Sequence, residues 1–161
     1  MKPRPFLAAA LAAVALISCN TGSNEAWTPA GDHIMTVWGE NLDPSNVLQE
    51  YPRPQMIRDR WMNLNGIWEY AVTAADVQPE KMEGNILVPF AIESALSGVG
   101  RAVTENGVLW YERAFEVPED WAGQRIMLNF GAVDWRAEVY VDGALAGEHT
   151  GGYAPFSFDI T

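Results

Sequence analysis

Carboxylates and histidines are the side chains of this sequence that could take part in catalysis or hold a metal ion. Glu112, Asp134 and Glu138 could supply a local carboxylate pair. However, Glu112 and Glu138 stand at alternate positions of amphipathic runs, where outward side chains are expected to be polar. His33 and His149 are far apart and have no second ligand at metal spacing. We therefore predict no catalytic residue, no metal site and no cofactor, and we expect His149 to hydrogen-bond the glycine pair at residues 151–152.

A loop at residues 97–107 is the first candidate for ligand recognition, because it is long, polar and flanked by glycines. Recognition residues tend to lie on loops at the rim of a rigid scaffold. Within this loop, Arg101, Glu105 and Asn106 are the side chains predicted to contact a carbohydrate.

Tryptophans are the second candidate, since an aromatic face can stack on a sugar ring. Large aromatic side chains on strands also dominate sandwich cores, so Trp68 and Trp110 are expected to pack in the core. Trp135 could serve either purpose, and it completes the predicted carbohydrate-binding residues.

Size and charge narrow the possible functions. The chain has 161 residues, enough for one domain with a useful core, and 48% of them are hydrophobic. With 10 basic against 21 acidic side chains, the formal net charge is -11, which repels phosphate backbones and anionic headgroups. Nucleic acid is therefore excluded as a partner.

Residues 1–18 have the pattern of an export signal. A basic start with Lys2 and Arg4 precedes an apolar run at residues 6–17, which is shorter than the roughly 20 residues that span a bilayer. The run leads into Leu-Ile-Ser-Cys, which resembles a bacterial lipobox, and Cys19 is the only cysteine. We predict a lipid on Cys19 as the only membrane attachment, with the protein held at the outer membrane of the bacterial cell envelope. The alternative is an ordinary signal and a free thiol.

After the signal, residues 19–31 have the composition of a flexible tether, and residues 32–60 read as an extended arm lying on the domain, because prolines interrupt them. No convincing helix is predicted. Seven strand-like runs follow, at residues 67–72, 85–88, 108–117, 125–130, 137–141, 145–149 and 156–160. Asp142-Gly143 predicts a type I′ hairpin turn between two of these runs. The predicted fold class is all-β, an antiparallel sandwich or barrel, which we expect to be incomplete at the C-terminus.

Several motifs in this region resemble glycoside hydrolase family 2, the β-galactosidase and β-glucuronidase-like enzymes. They are YPRPQM at 51–56, LNGIW at 64–68, VPF at 88–90, WYER at 110–113, GAVDW at 131–135, VYVDG at 139–143 and GEHTGGYAPF at 147–156. The resemblance implies a jelly-roll-like β-sandwich, galactose-binding-domain-like, at residues 32–161: the family's N-terminal, non-catalytic sugar-binding domain, here partial.

The same resemblance implies a larger parent protein. In the family this domain precedes an immunoglobulin-like domain and a downstream catalytic barrel, which hydrolyses β-glycoside substrates with two glutamates and retention of configuration. Those glutamates have no counterpart in this chain. A free-standing carbohydrate-binding or purely structural surface lipoprotein remains the alternative, because β-sandwiches host all of these functions. The preferred sugar stays open.

Overall fold

The computed structural model describes residues 26–75 and 77–161. The predicted signal at residues 1–18, Cys19 and the first part of the predicted tether lie outside the described residues. The strands are β1 (Gly66–Ala74), β2 (Gly84–Val88), β3 (Gly107–Glu112), β4 (Met127–Phe130), β5 (Arg136–Val141), β6 (Ala144–Thr150) and β7 (Phe156–Asp159). Helix α1 (Val37–Glu40) and a 3-10 turn at Pro54–Met56 precede β1, and 3-10 turns at Ala95–Ser97 and Glu119–Trp121 lie in the connections that follow β2 and β3.

The first three strands form one antiparallel sheet with the order β2-β1-β3. Aromatic and β-branched residues favour the extended backbone of β1, and its central position leaves both of its edges paired. Ile67 lies opposite Leu87 on β2, and Ala71 lies opposite Trp110 on β3. The loop at residues 97–107 lies in the connection between the two edge strands of this sheet: it begins at the end of the 3-10 turn at Ala95–Ser97 and ends where β3 begins.

The remaining strands form two antiparallel pairs, β5-β6 and β4-β7. Asp142 and Gly143 have φ values of 50° and 77°, so both centres of the β5-β6 turn have positive φ, as the Asp-Gly dipeptide predicts. On β6, a Cβ placed on Gly147 would overlap the ring of Phe158 on β7. Glycine is thus what lets the two pairs approach each other here.

The core lies around the three-stranded sheet. Ile86 and Leu87 of β2 are completely buried, and Ala71 of β1 is 1% exposed. Other segments complete the cluster: Val47 comes from the arm, and Ile92 comes from the β2-β3 connection. The hydrophobic core is therefore closed by irregular chain as much as by strands.

Side-chain hydrogen bonds hold the arm on the domain. Asn63 Nδ2 donates to Leu48 O at 2.8 Å, and Asn65 Nδ2 lies 3.4 Å from Val47 O. Helix α1 interrupts the expected extended path for four residues, because the Thr36 hydroxyl caps it by accepting from Gly39 N at 3.2 Å. No helix among the described residues is long and apolar enough to cross a membrane.

Two expectations need correction. Trp68 and Trp110 are half-buried rather than core, because none of the described strands outside their own sheet packs extensively against it. Their indole N–H groups donate to Leu64 O at 2.7 Å and to Thr73 Oγ1 at 2.8 Å.

The third strand is shorter than predicted: β3 ends at Glu112, where its pairing with β1 ends. Fold class and antiparallel pairing are as predicted.

Candidate carbohydrate-binding site

Arg101 lies at the edge of the three-stranded sheet, where it contacts two side chains that the sequence did not single out. Its Nη1 donates to Glu83 Oε2 at 2.9 Å, and its Cζ lies 5.9 Å from the centre of the Tyr70 ring. The backbone fixes the loop, since Arg101 N donates to Ile92 O at 3.1 Å. The sequence analysis missed Glu83 because it lies 18 residues before Arg101 in the sequence, and only the fold brings the two side chains together.

Hydrogen bonds hold Glu83 in its charged form. Val72 N donates to Glu83 Oε1 at 3.0 Å, and this bond, followed by the one from Arg101, lowers the pKa of the Glu83 carboxyl. Both side chains remain substantially exposed, so water screens the pair and its effect on stability is small. The Arg101 guanidinium has five N–H donors, and among the described residues only one of them is bonded, so the other four can bind hydroxyl or carboxylate oxygens.

Glu105 and Asn106 lie in the turn that precedes β3, and both are exposed. Asn106 has a structural role through its backbone, because its carbonyl accepts from Ala75 N at 3.0 Å. In the described part of the chain, neither side chain forms an ion pair or a side-chain hydrogen bond with Arg101. The loop thus presents these side chains to solvent separately.

Trp135 lies at the start of β5 and is 66% exposed. Its carbonyl accepts from Gly151 N at 2.6 Å, which ties it to the chain leaving β6. Next to it, Asp134 packs so closely on Gly152 that a Cβ there would lie 2.5 Å from Oδ1. Tyr153 follows directly and is fully exposed, so two aromatic side chains are presented by two segments that are bonded to each other. In the sequence, the available signal for Tyr153 was an aromatic residue directly after a glycine pair.

The predicted residues therefore fall into two groups. Arg101, Glu105 and Asn106 lie in the connection between β2 and β3 of the three-stranded sheet, whereas Trp135 directly precedes β5 of the β5-β6 pair. Within residues 26–75 and 77–161, no extensive packing joins these two sheets. That all four contact a carbohydrate stays a prediction.

The remaining polar candidates take part in local contacts. His149 stacks on Phe156 with ring centres 4.1 Å apart, and its buried Nε2 has no hydrogen-bond partner among the described residues. The expected hydrogen bond from His149 to the glycine pair is therefore not formed among the described residues. No group of three or more His, Cys, Asp or Glu side chains in this part of the chain could hold a metal ion.

Glu138 faces outward on β5, as its alternating position predicts. It accepts from Arg136 at 2.7 Å and from the Tyr140 hydroxyl at 2.9 Å. That second bond is the main cause that raises the pKa of Tyr140. Arg136 also reaches Glu148 on β6 at 3.3 Å, so these groups form a surface network across the strand pair.

Comparison with known proteins gives one consistent family. A family model described as "Glycosyl hydrolases family 2, sugar binding domain" matches residues 81–161, just over half of the chain. The β-glucuronidase of Paenibacillus borealis is 30% identical over 118 residues, which cover 69% of this chain and 20% of that protein. The β-galactosidase of Thermoanaerobacter pseudethanolicus is 48% identical over 54 residues, which cover 34% of this chain and 7% of that protein.

A solved structure supports the same assignment. The β-glucuronidase of Faecalibacterium prausnitzii is 31% identical, with a TM-score of 0.51 over 62% of this chain and 18% of that one. The chain thus spans about a fifth or less of the length of these relatives. Its strands and its relatives agree with an all-β, sandwich-like domain. The chain belongs to glycoside hydrolase family 2 and carries the family's sugar-binding domain.

Proposed function

We propose that this chain is the non-catalytic, N-terminal sugar-binding domain of a retaining exo-β-glycosidase, a β-galactosidase-like enzyme that hydrolyses O-glycosyl bonds. The observation that carries the proposal is the family match over residues 81–161, together with relatives named β-glucuronidase and β-galactosidase. In such a parent, two carboxylates about 5–5.5 Å apart in a catalytic barrel form and break a covalent glycosyl intermediate. This domain supplies scaffold and contacts at the rim.

The proposal is tested on the full-length product of the gene that encodes this chain. We expect hydrolysis of p-nitrophenyl β-D-galactoside or β-D-glucuronide, and we expect proton NMR to show the β-anomer of the released sugar first. Release of the α-anomer first would contradict the retaining mechanism. Failure to hydrolyse any β-glycoside of a broad panel would contradict the enzymatic assignment.

The rim role is tested by substitution in the same full-length enzyme. Arg101→Gln and Trp135→Ala are expected to lower kcat/KM, because they remove a hydrogen-bond donor and an aromatic face. Arg136→Gln is the matched control, since it removes an exposed arginine whose partners among the described residues are Glu138 on β5 and Glu148 on β6. If Arg101→Gln and Asn106→Ala leave kcat/KM unaltered, the loop at residues 97–107 is only a connector.

A carbohydrate-binding surface module without catalysis is the second candidate. It is favoured by the exposed side chains of Trp135 and Tyr153, which the bond between Trp135 O and Gly151 N places on adjoining segments. Titration of the isolated chain with galactose and glucuronic acid, followed by NMR, separates the two roles. Binding that Trp135→Ala and Tyr153→Ala abolish, in a protein without hydrolase activity, favours the module.

The anchor at Cys19 belongs to the same proposal. Residues 1–18 would be the signal that is removed, residues 19–31 the tether, and residues 32–161 the domain held at the outer membrane. The lipobox-like Leu-Ile-Ser-Cys supports this division. Mass spectrometry of the membrane fraction is expected to find an acylated Cys19, and Cys19→Ala is expected to release the protein. An unmodified Cys19 in the mature protein would contradict the anchor.

A further inference from the structure

A shallow pocket lies between the arm and the segment that leads into β4. Its volume is about 240 Å³, and it is lined by Arg58, Arg60, Trp121, Gln124, Arg125 and Ile126. This volume is below the range of about 300–1,000 Å³ that is typical of sites for drug-sized ligands. The pocket therefore suits one charged group or one sugar ring.

Charge sets this pocket apart from the rest of the molecule. The chain has 10 Lys and Arg against 21 Asp and Glu, yet three arginines line this one small pocket. Asp59 stands between two of them in sequence but does not line the pocket. The net charge of the protein disfavours anions, whereas the three guanidinium groups that line the pocket favour them, with Asp159 offsetting part of the charge of Arg125.

The arginines retain free hydrogen-bond donors. Arg125 donates from Nε and Nη2 to Asp159 Oδ2, at 3.1 and 2.8 Å, and from Nη2 to Met127 Sδ at 4.0 Å, which leaves the two N–H groups of Nη1 among its five. Arg58 and Arg60 form no ion pair with any residue that the structure describes. A guanidinium fork matches two oxygens of one oxyanion, so these groups are suited to a carboxylate or a tetrahedral oxyanion.

The pocket also has an apolar wall, which a site for a bare inorganic ion would not need. The half-buried side chains of Trp121 and Ile126 form this wall. An indole offers a flat face that packs against the C–H groups of a sugar ring. Gln124 adds an amide that can both donate to and accept from hydroxyl groups.

We infer that this pocket is a second carbohydrate subsite, selective for an acidic sugar whose sulfate ester or carboxylate binds Arg58, Arg60 and Arg125 while its ring packs on Trp121. The subsite is separate from the residues at 97–107 and from Trp135. It gives the domain a preference for acidic glycans that does not depend on which bond the parent enzyme cleaves.

The test uses the 161-residue chain, with galactose 6-sulfate, glucuronic acid, inorganic sulfate and galactose as probes. NMR titration follows the indole N–H signal of Trp121, assigned with Trp121→Phe. We expect galactose 6-sulfate to bind about tenfold or more tightly than galactose, because charge-assisted bonds to the guanidinium groups are among the stronger hydrogen bonds. Tighter binding of galactose 6-sulfate than of inorganic sulfate supports a sugar ligand. Equal affinity for these two would overturn it.

Substitutions separate specific binding from general charge. The double variant Arg58→Gln and Arg60→Gln is expected to weaken galactose 6-sulfate binding about tenfold or more. Arg53→Gln is the matched control, since it removes an arginine of the same arm that does not line the pocket. An equal loss with Arg53→Gln, or no loss with the double variant, would overturn the inference. Arg58→Lys with Arg60→Lys is expected to restore only part of the affinity, because the charge stays and the fork is lost.

Discussion

The β2-β1-β3 sheet and the two strand pairs that follow it bury their side chains to different extents. Ile86 and Leu87 on the first sheet are completely buried, whereas no residue from 98 to 161 is fully buried in the structure. The strands β4, β5 and β7 nevertheless alternate regularly between half-buried and exposed positions. Regular alternation therefore specifies a strand and its faces, but burial requires another layer of chain over those faces.

The covering layer differs in the two regions. Irregular segments close the first sheet: the arm contributes Val47, and the β2-β3 connection contributes Ile92. In the second region, aromatic rings contact one another. Phe156 stacks on Phe130 at 4.8 Å and lies 5.6 Å from Phe158 in an edge contact. An isolated strand pair is marginal in water, so we expect the second region to unfold before the first.

The largest expected effect comes from truncating a leucine in each region. Leu87→Ala removes a completely buried side chain, and we expect the free energy of unfolding to fall by about 2–5 kcal/mol. Leu145→Ala on β6 removes one that is 52% exposed, and the expected change is within about 0.5 kcal/mol. Urea denaturation measures both. Equal losses would show that the two regions do not differ as described.

A smaller effect is expected where β6 approaches β7. Gly147→Ala places a Cβ against the ring of Phe158, and overpacking of this kind costs about 1–3 kcal/mol. Gly131→Ala is the control, because nothing lies within 4 Å of its added Cβ. Hydrogen exchange is expected to show faster opening of β4-β7 and β5-β6 in Gly147→Ala, with unchanged protection in β1. Faster exchange in β1 as well would mean that the two regions unfold together.

The smallest expected effect is a pH dependence confined to the second region. Hydrogen bonds from the Thr161 hydroxyl, then from Arg125, lower the pKa of Asp159 from 3.8 to about 2. Because the folded state binds this proton more weakly than the unfolded chain, Asp159 stabilises the fold above pH 3.8. That contribution is lost as the pH falls through about 2.

The measurement compares the wild type with Asp159→Asn in urea titrations at pH 6, 4, 3 and 2. We expect the difference in stability to be constant from pH 6 to about 4 and to shrink between about 4 and 2. A difference that stays flat across that interval would contradict the role of the charged Asp159.

The sequence predicted those elements whose cause is local. Asp142-Gly143 predicted the positive φ values of its turn, because few dipeptides tolerate both. Aromatic and β-branched runs predicted β1 and β2. All seven strands lie where the patterns placed them, with differences at their ends.

Features that depend on tertiary packing could not be predicted in the same way. Large aromatic side chains on strands usually pack in the core, which is why Trp68 and Trp110 were expected there. Their actual exposure depends on which segments lie over the sheet. The partner of Arg101 is another example, since the pairing of β1 with β2 places Glu83 nearby. The pocket of Arg58, Arg60 and Arg125 is a third example, because only the folded chain brings the arm next to the segment that leads into β4.

The second half of the arm is tied where it begins, at residues 47–48, to the chain that directly follows the arm, and its arginines are exposed. Asn63 and Asn65 bind the backbone of residues 47–48, while Arg53, Arg58 and Arg60 between these points are exposed. Trypsin cleaves after exposed arginines such as Arg58 and Arg60, but not after Arg53, which precedes Pro54, so limited digestion should cut the arm without releasing either fragment. The two fragments would then copurify until denaturant separates them, which makes the arm a natural position for splitting this domain into a complementing pair.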